Sequence, residues 1–174
     1  MKTVKLLPVL AVALSSLTGC AVSNMVQRGE TQRFTEQQTE YWAVETIEDG
    51  SNFVGRSEGS QEPIRLCGIA ALGLDHPLRE STKTKLEQLL GQSSDGIVGV
   101  VPVGRDSAGY LVAEVFVPTD KGEEIHVNSR MVLDGLAYVD VAVNDCPNSV
   151  VIAGAEDQAK EAGVGVWQEA EASE

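Results

Sequence analysis

Arg65-Leu66-Cys67-Gly68-Ile69-Ala70-Ala71-Leu72-Gly73 is the stretch that decides how this chain of 174 residues is read. With Pro63 and Ile64 ahead of it, its first half reads as a strand, Pro63 to Ile69. A helix over 77–92 follows, with Leu78, Leu86, Leu89 and Leu90 recurring on one face and Gly91 as its C-cap. Upstream, Tyr41 to Glu48 is rich in aromatic and β-branched residues and runs into Asp49-Gly50, a hairpin signal. Asn52-Phe53-Val54 begins a second strand, and 57–62 is a Gly/Ser turn. Downstream, Ile97–Val103 and Tyr110–Val117 read as strands around the polar turn 105–109. Asn128 reads as the N-cap of a short helix ended by Gly135, with Met131, Val132 and Leu136 inward. Ala137 to Val141 is a short strand, and Val150 to Gly163 a last helix. About five strands, a helix between the third and fourth, and two helices after them give an α+β architecture: an OB-fold-like five-stranded β-barrel with about three α-helices.

The first 19 residues lie outside that domain. Lys2 and Lys5 precede an apolar stretch, Leu6 to Leu17, that is of signal-peptide length and too short to span a bilayer. It ends in Leu17-Thr18-Gly19-Cys20, which resembles a bacterial lipobox. The resemblance implies cleavage before Cys20, lipidation of its thiol, and attachment of the protein to the cell envelope. With Ala21 rather than Asp after the cysteine, a Gram-negative cell would send it to the periplasmic face of the outer membrane. Residues 20–40 are a polar tether, 41–168 the folded domain and 169–174 an acidic tail.

The formal charge is −13 and becomes −15 without Lys2 and Lys5. Such a chain is poorly suited to nucleic acid, whose binding relies on Lys and Arg neutralising phosphates. Anionic lipid is no better a partner, so the acyl chains must do the anchoring. A local basic patch could draw on Arg28, Arg33, Arg56, Arg65 and Arg79. Two cysteines remain after lipidation. An exported compartment permits a disulfide between Cys67 and Cys146; the alternative is two unpaired thiols, one buried as a small apolar residue.

Three runs in order carry a family resemblance: Arg65-Leu66-x-Gly68-Ile69 with His76-Pro77; Val127-Asn128 through Met131-Val132 to Gly135-Leu136-Ala137-Tyr138-Val139; and Ala155-Glu156-x-x-Ala159-Lys160 to Gly165-Val166-Trp167. Together they resemble the thermonuclease (staphylococcal nuclease-like) family over roughly 41–168. Active members cut phosphodiesters with one Ca²⁺ held by two Asp and a carbonyl, a Glu that activates water, and two Arg that clamp phosphate. Carried onto this sequence, the metal-binding Asp positions hold Ser51 and Ala70. The base position holds Gly73 and the second Arg position Tyr110, in Asp106-Ser107-Ala108-Gly109-Tyr110. Only Arg65 keeps a family residue. Ca²⁺ needs oxygen ligands, preferably anionic. A general base contributes about 10²–10⁴-fold, and a phosphate-clamping Arg of the arginine-finger kind about 10³–10⁵-fold. The resemblance therefore implies the fold without the activity, and no Ca²⁺ cofactor.

Asp49 and Asp75 are the weak candidates for a rebuilt metal site; otherwise Asp49 is a hairpin-turn residue and Asp75 a helix N-cap or first-turn acid. Arg65 reads as the partner of Glu48, Asp49 or Asp106, holding the cleft closed, in preference to phosphate binding. His76 and His126 read as structural or exposed, and Trp42 and Trp167 as core or edge anchors. The expected function is a lipid-anchored, non-catalytic binding or structural module with an envelope protein as partner. The alternatives are a divergent calcium- or other metal-dependent nuclease or phosphodiesterase, and a nucleic-acid or oligosaccharide binder using the OB face.

Overall fold

The computed structural model describes residues 38–142 and 145–168. Cys20, the signal segment, most of the tether, Arg28, Arg33 and the acidic tail lie outside them.

Five strands close a barrel: β1 (Glu40–Ile47), β2 (Asn52–Ser57), β3 (Ser60–Leu66), β5 (Ile97–Arg105) and β6 (Leu111–Pro118). Four junctions are antiparallel. The fifth is a parallel seam of only three residue pairs between β3 and β6, Ile64 with Leu111, Arg65 with Val112 and Leu66 with Ala113. Alternation sends Phe53, Ile64, Leu66, Val98, Val100, Val115 and Val117 inward, all buried. A short β7 (Glu124–His126) extends the sheet beyond β6. Helix α1 (Arg79–Leu90) connects the third and fourth barrel strands and closes the core with Leu86, Leu89 and Leu90. Helices α2 (Val127–Leu133) and α3 (Ser149–Ala162) add Val127, Met131 and Val132, and Ile152 and Ala155. Outside the barrel, β4 (Ile69–Ala70) pairs with β8 (Tyr138–Val139), and a 3₁₀ turn, Gly165–Trp167, ends the described chain. The α+β barrel with three helices is the expected architecture.

Several local expectations are corrected. The turn between β2 and β3 is two residues, not six: Glu58 and Gly59 take φ 46° and 85°, which fits a tight primed hairpin turn. Glu carries no sequence signal for that conformation. Pro63 therefore lies inside β3, opposite Val54, rather than at its start. Strand three stops at Leu66 because Gly68 takes φ 71° and redirects the chain into β4. Helix α1 begins at Arg79 after Leu78, whose N–H is accepted by His76 Nδ1 at 3.1 Å. Asp75 is exposed ahead of it and caps nothing. Asn128 is not a cap either: α2 starts after His126, and Asn128 points into the core.

That buried Asn128 clips the weak seam. Its Oδ1 accepts Val115 N–H at 2.9 Å, while Nδ2 donates to the carbonyls of Cys67 at 2.9 Å and Ala113 at 3.2 Å. Next to it, Cys67 and Cys146 form a disulfide across 79 residues of sequence. Glu114, only 1% exposed, accepts Asn148 N–H and Nδ2 at 2.6 Å each, just ahead of α3. A carboxylate there also faces the positive end of the helix dipole. Three independent ties thus hold α2 and α3 to the barrel wall.

Candidate functional site

Ser51, Arg65 and Tyr110, three of the five positions that the resemblance singles out, lie where the β1–β2 turn meets β3 and the β5–β6 turn. Asp49 begins the cluster. Its Oδ1 accepts Ser51 N–H at 2.8 Å, Ser51 Oγ–H at 3.2 Å and Asn52 N–H at 2.9 Å; Asn52 Nδ2 bridges both carboxylate oxygens at 2.9 and 2.8 Å. An Asp side chain that bonds the following backbone is a standard way to fix a turn. Gly50 has no room for a side chain, since a Cβ would fall on Thr82 of α1. The turn is thereby pressed onto that helix.

Antiparallel pairing sets Asn52 opposite Arg65, and Arg65 Nε donates to Asn52 Oδ1 at 3.0 Å. The guanidinium also stands 2.5 Å from Asp106 Oδ2, an ionic contact set off the hydrogen-bond direction. Asp106 is itself positioned by the N–H groups of Ala108 and Tyr110, both bonded to its Oδ1. The Tyr110 ring then lies 4.7 Å under the Arg65 guanidinium carbon. Tyr110 Oη donates to Glu48 Oε2 at 3.1 Å. That hydrogen bond, reinforced by the carboxylate's charge, raises the phenol pKa above its ordinary value, so the proton stays on the oxygen.

The chain from Asn52 through Arg65 and Asp106 to Tyr110 and Glu48 is continuous, and Arg65 is engaged on three sides. Of the three acids open to it in the sequence, Asp106 is the partner. Asn52 joins the network without a motif of its own; its register opposite Arg65 is the sequence signal for it. Ala70 and Gly73 are not part of the network. Ala70 pairs with Tyr138 in the small sheet, and Gly73 sits in an exposed loop where a Cβ would meet nothing within 4 Å. Asp75 does not line the polar cavity of ≈ 200 Å³ beside Asp49, which is bordered by Glu48, Arg79, Glu80 and Lys83. Among the described residues no group of three or more His, Cys, Asp or Glu side chains is placed to hold a metal ion.

The basic patch does not assemble. Among the described residues every arginine faces an acid: Arg56 with Glu45, Arg65 with Asp106, Arg79 with Glu80, Arg105 with Glu62 and Arg130 with Asp134. His126 is stacked on Phe116 at 4.9 Å between centroids and shares a 3.0 Å contact between Nδ1 and Ser129 Oγ. Burial lowers its pKa, against the pull of Glu114.

The closed five-stranded barrel with a helix between its third and fourth strands, and a polar cluster at its strand ends, defines an OB-like α+β protein. Residues 63–169 match the family model described as staphylococcal nuclease homologue, and the chain belongs to that family. No curated protein matches the chain.

Proposed function

We propose that this protein is a non-catalytic member of the staphylococcal nuclease family, tethered to the envelope by a lipidated Cys20 and serving as a binding or structural module for another envelope protein. The observation that carries this reading is the engagement of Arg65. A phosphate clamp offers its charge and its donors to phosphoryl oxygens; here Nε donates to Asn52, Asp106 offsets the charge and the Tyr110 ring covers one face of the guanidinium.

The residues also fail to fit Ca²⁺. The ion takes six to eight oxygens, carboxylates among them. Ala70 offers no side-chain oxygen, Ser51 donates its hydroxyl to Asp49, and the Asp49 carboxylate is already bonded to Ser51 and Asn52. With the water-activating position at Gly73, no step of phosphodiester hydrolysis is assigned to this site. The neutralised arginines and the −13 charge further disfavour a polyanionic substrate.

A soluble form lacking residues 1–20 should release no nucleotides from single-stranded DNA or RNA with millimolar Ca²⁺. Ca²⁺-dependent cleavage that Arg65→Ala abolishes would overturn the proposal. Calorimetric titration with Ca²⁺, Mg²⁺, Mn²⁺ and Zn²⁺ should show no heat of binding; a saturable signal would instead favour the divergent metal-dependent nuclease. For the anchor, incorporation of labelled palmitate should vanish in Cys20→Ser.

A further inference from the structure

On the side of the domain where β8 and α3 meet, Val139 and Val141 form one wall of an open groove of ≈ 360 Å³, Val150, Ile152 and Ala153 the other, and Gly68 the floor. Val141 is 83% and Val150 84% exposed. Both line the same groove, so the apolar surface they expose is shared between β8 and α3 rather than scattered.

The floor of the groove is pinned by close packing and a covalent tie. That floor is Gly68 at φ 71°, where a Cβ would stand 3.0 Å from Cys146 Sγ and 3.1 Å from Ile152 Cδ1. The disulfide lies directly beneath, joining the strand that leads to the floor with the loop that leads into α3. Asp140 N–H bonds the Gly68 carbonyl at 3.0 Å and ties the β8 wall to the same floor. A floor fixed before binding spares a partner the cost of ordering it.

Charge selects the occupant. Asp140 lines the rim. Along α3, helical spacing places exposed Asp157 and Glu161 on the stripe that begins with Val150 and Ala153. The one basic residue of α3, Lys160, is drawn to Glu156 and the Trp167 ring. An apolar trough leading into acids repels both an anionic membrane surface and a second copy of a chain with net charge −13. We infer that this groove is the docking site for an apolar segment of a partner protein flanked by Lys or Arg. The inference rests on reading the domain as a binding module, and it assigns that module its working face, away from the Arg65 cluster.

The test titrates the purified full chain with an eight-residue peptide of four leucines flanked on each side by two lysines. A glutamate-flanked version is the control. The lysine peptide should bind and shift the amide signals of Val141, Val150 and Ala153. Val150→Asp, at an exposed position, should weaken binding by about tenfold or more, as for a central contact, without changing the thermal midpoint. Reduction of the disulfide should weaken it as well. Equal binding of the glutamate peptide, or unchanged affinity in both Val141→Asp and Val150→Asp, overturns the inference. So does a dimer, or attachment to neutral phosphatidylcholine vesicles, that Val150→Asp abolishes while the peptide does not bind. Nuclease activity in a chain whose peptide binding persists would remove the non-catalytic reading and leave the groove.

Discussion

Asn128 shows how much one side chain can hold. The parallel seam ends at Ala113, and beyond it Val115 N–H and Cys67 C=O would be left inside the protein without a strand partner. The amide answers both, offering one acceptor and two donors to three backbone groups while itself 0% exposed. Asn128→Ala strands buried polar groups that cost about 1–3 kcal/mol each. We expect a loss of about 3 kcal/mol in urea unfolding, with Asn128→Asp giving no rescue, since it sets a buried carboxylate oxygen against the carbonyls of Cys67 and Ala113. In the sequence this Asn stood at the head of an apolar helical run, where an N-cap is the ordinary use. Nothing local distinguishes a cap from a clip; the difference depends on which strand lies overhead.

A second residue-scale prediction concerns pH. Burial holds the His126 pKa below its ordinary value, with Glu114 opposing from β6 and Ser129 bonded at Nδ1. The unfolded chain therefore takes up a proton near pH 6.5 that the folded one still refuses. The stability this residue leaves intact is complete above about pH 6.5 and is lost progressively as pH falls toward the lower folded value. The thermal midpoint should drop between pH 7 and pH 5. His126→Gln should flatten that part of the curve. An unchanged slope in the variant would assign the drop to other groups.

At the scale of elements, the strands and helices were legible where periodicity was strong. Val98 and Val100, or Leu86, Leu89 and Leu90, point inward as their spacing requires. Turns were less legible because their conformations rest on single residues: Glu58 adopts φ > 0 without being Asn or Gly. The candidate site was legible as a set of residue types and not as a network. Arg65 had three acids within plausible reach, and only the β5–β6 turn's geometry, with Asp106 held by two N–H groups, selects among them. The attachment of α3 is an element-scale matter too. The disulfide closes a loop of 79 residues, for which the chain-entropy model gives about 4.5 kcal/mol. Reduction, or the pair Cys67→Ala and Cys146→Ala, should lower stability by about 2–4 kcal/mol, the usual range. Although Glu114 still holds Asn148, the covalent tie of α3 to the barrel is gone, so the α3 amides should lose hydrogen-exchange protection before those of β1, β5 and β6. Uniform loss across the barrel would mean that α3 and the sheet open as one unit.

For the molecule as a whole, the proposed division between an intact scaffold and an emptied site can be tested by placing the family's side chains at four positions. Ser51→Asp, Ala70→Asp and Gly73→Glu return carboxylates to the positions that resemble metal and base sites, and Tyr110→Arg returns the second clamp. Space does not forbid this at Gly73, where a side chain would meet nothing within 4 Å. Tyr110→Arg is costlier, since it removes the ring beneath Arg65 and the bond to Glu48 and sets two guanidiniums near each other. A ligand that binds only the native state stabilises it in proportion to RT ln(1 + [L]/Kd), so affinity for Ca²⁺ reads out as a thermal shift. The unaltered chain should melt at the same temperature with 10 mM Ca²⁺ or EDTA. The fourfold variant should be less stable in EDTA and recover part of the loss in Ca²⁺, with no recovery in Mg²⁺, whose stricter octahedral demand a rebuilt site would not meet. A midpoint that rises with Ca²⁺ in the unaltered protein would place metal binding among its native properties and reopen the question of hydrolysis. A variant insensitive to Ca²⁺ would mean that the network around Asp49 and Arg65 has become a structural necessity, so that returning the four side chains no longer returns the site.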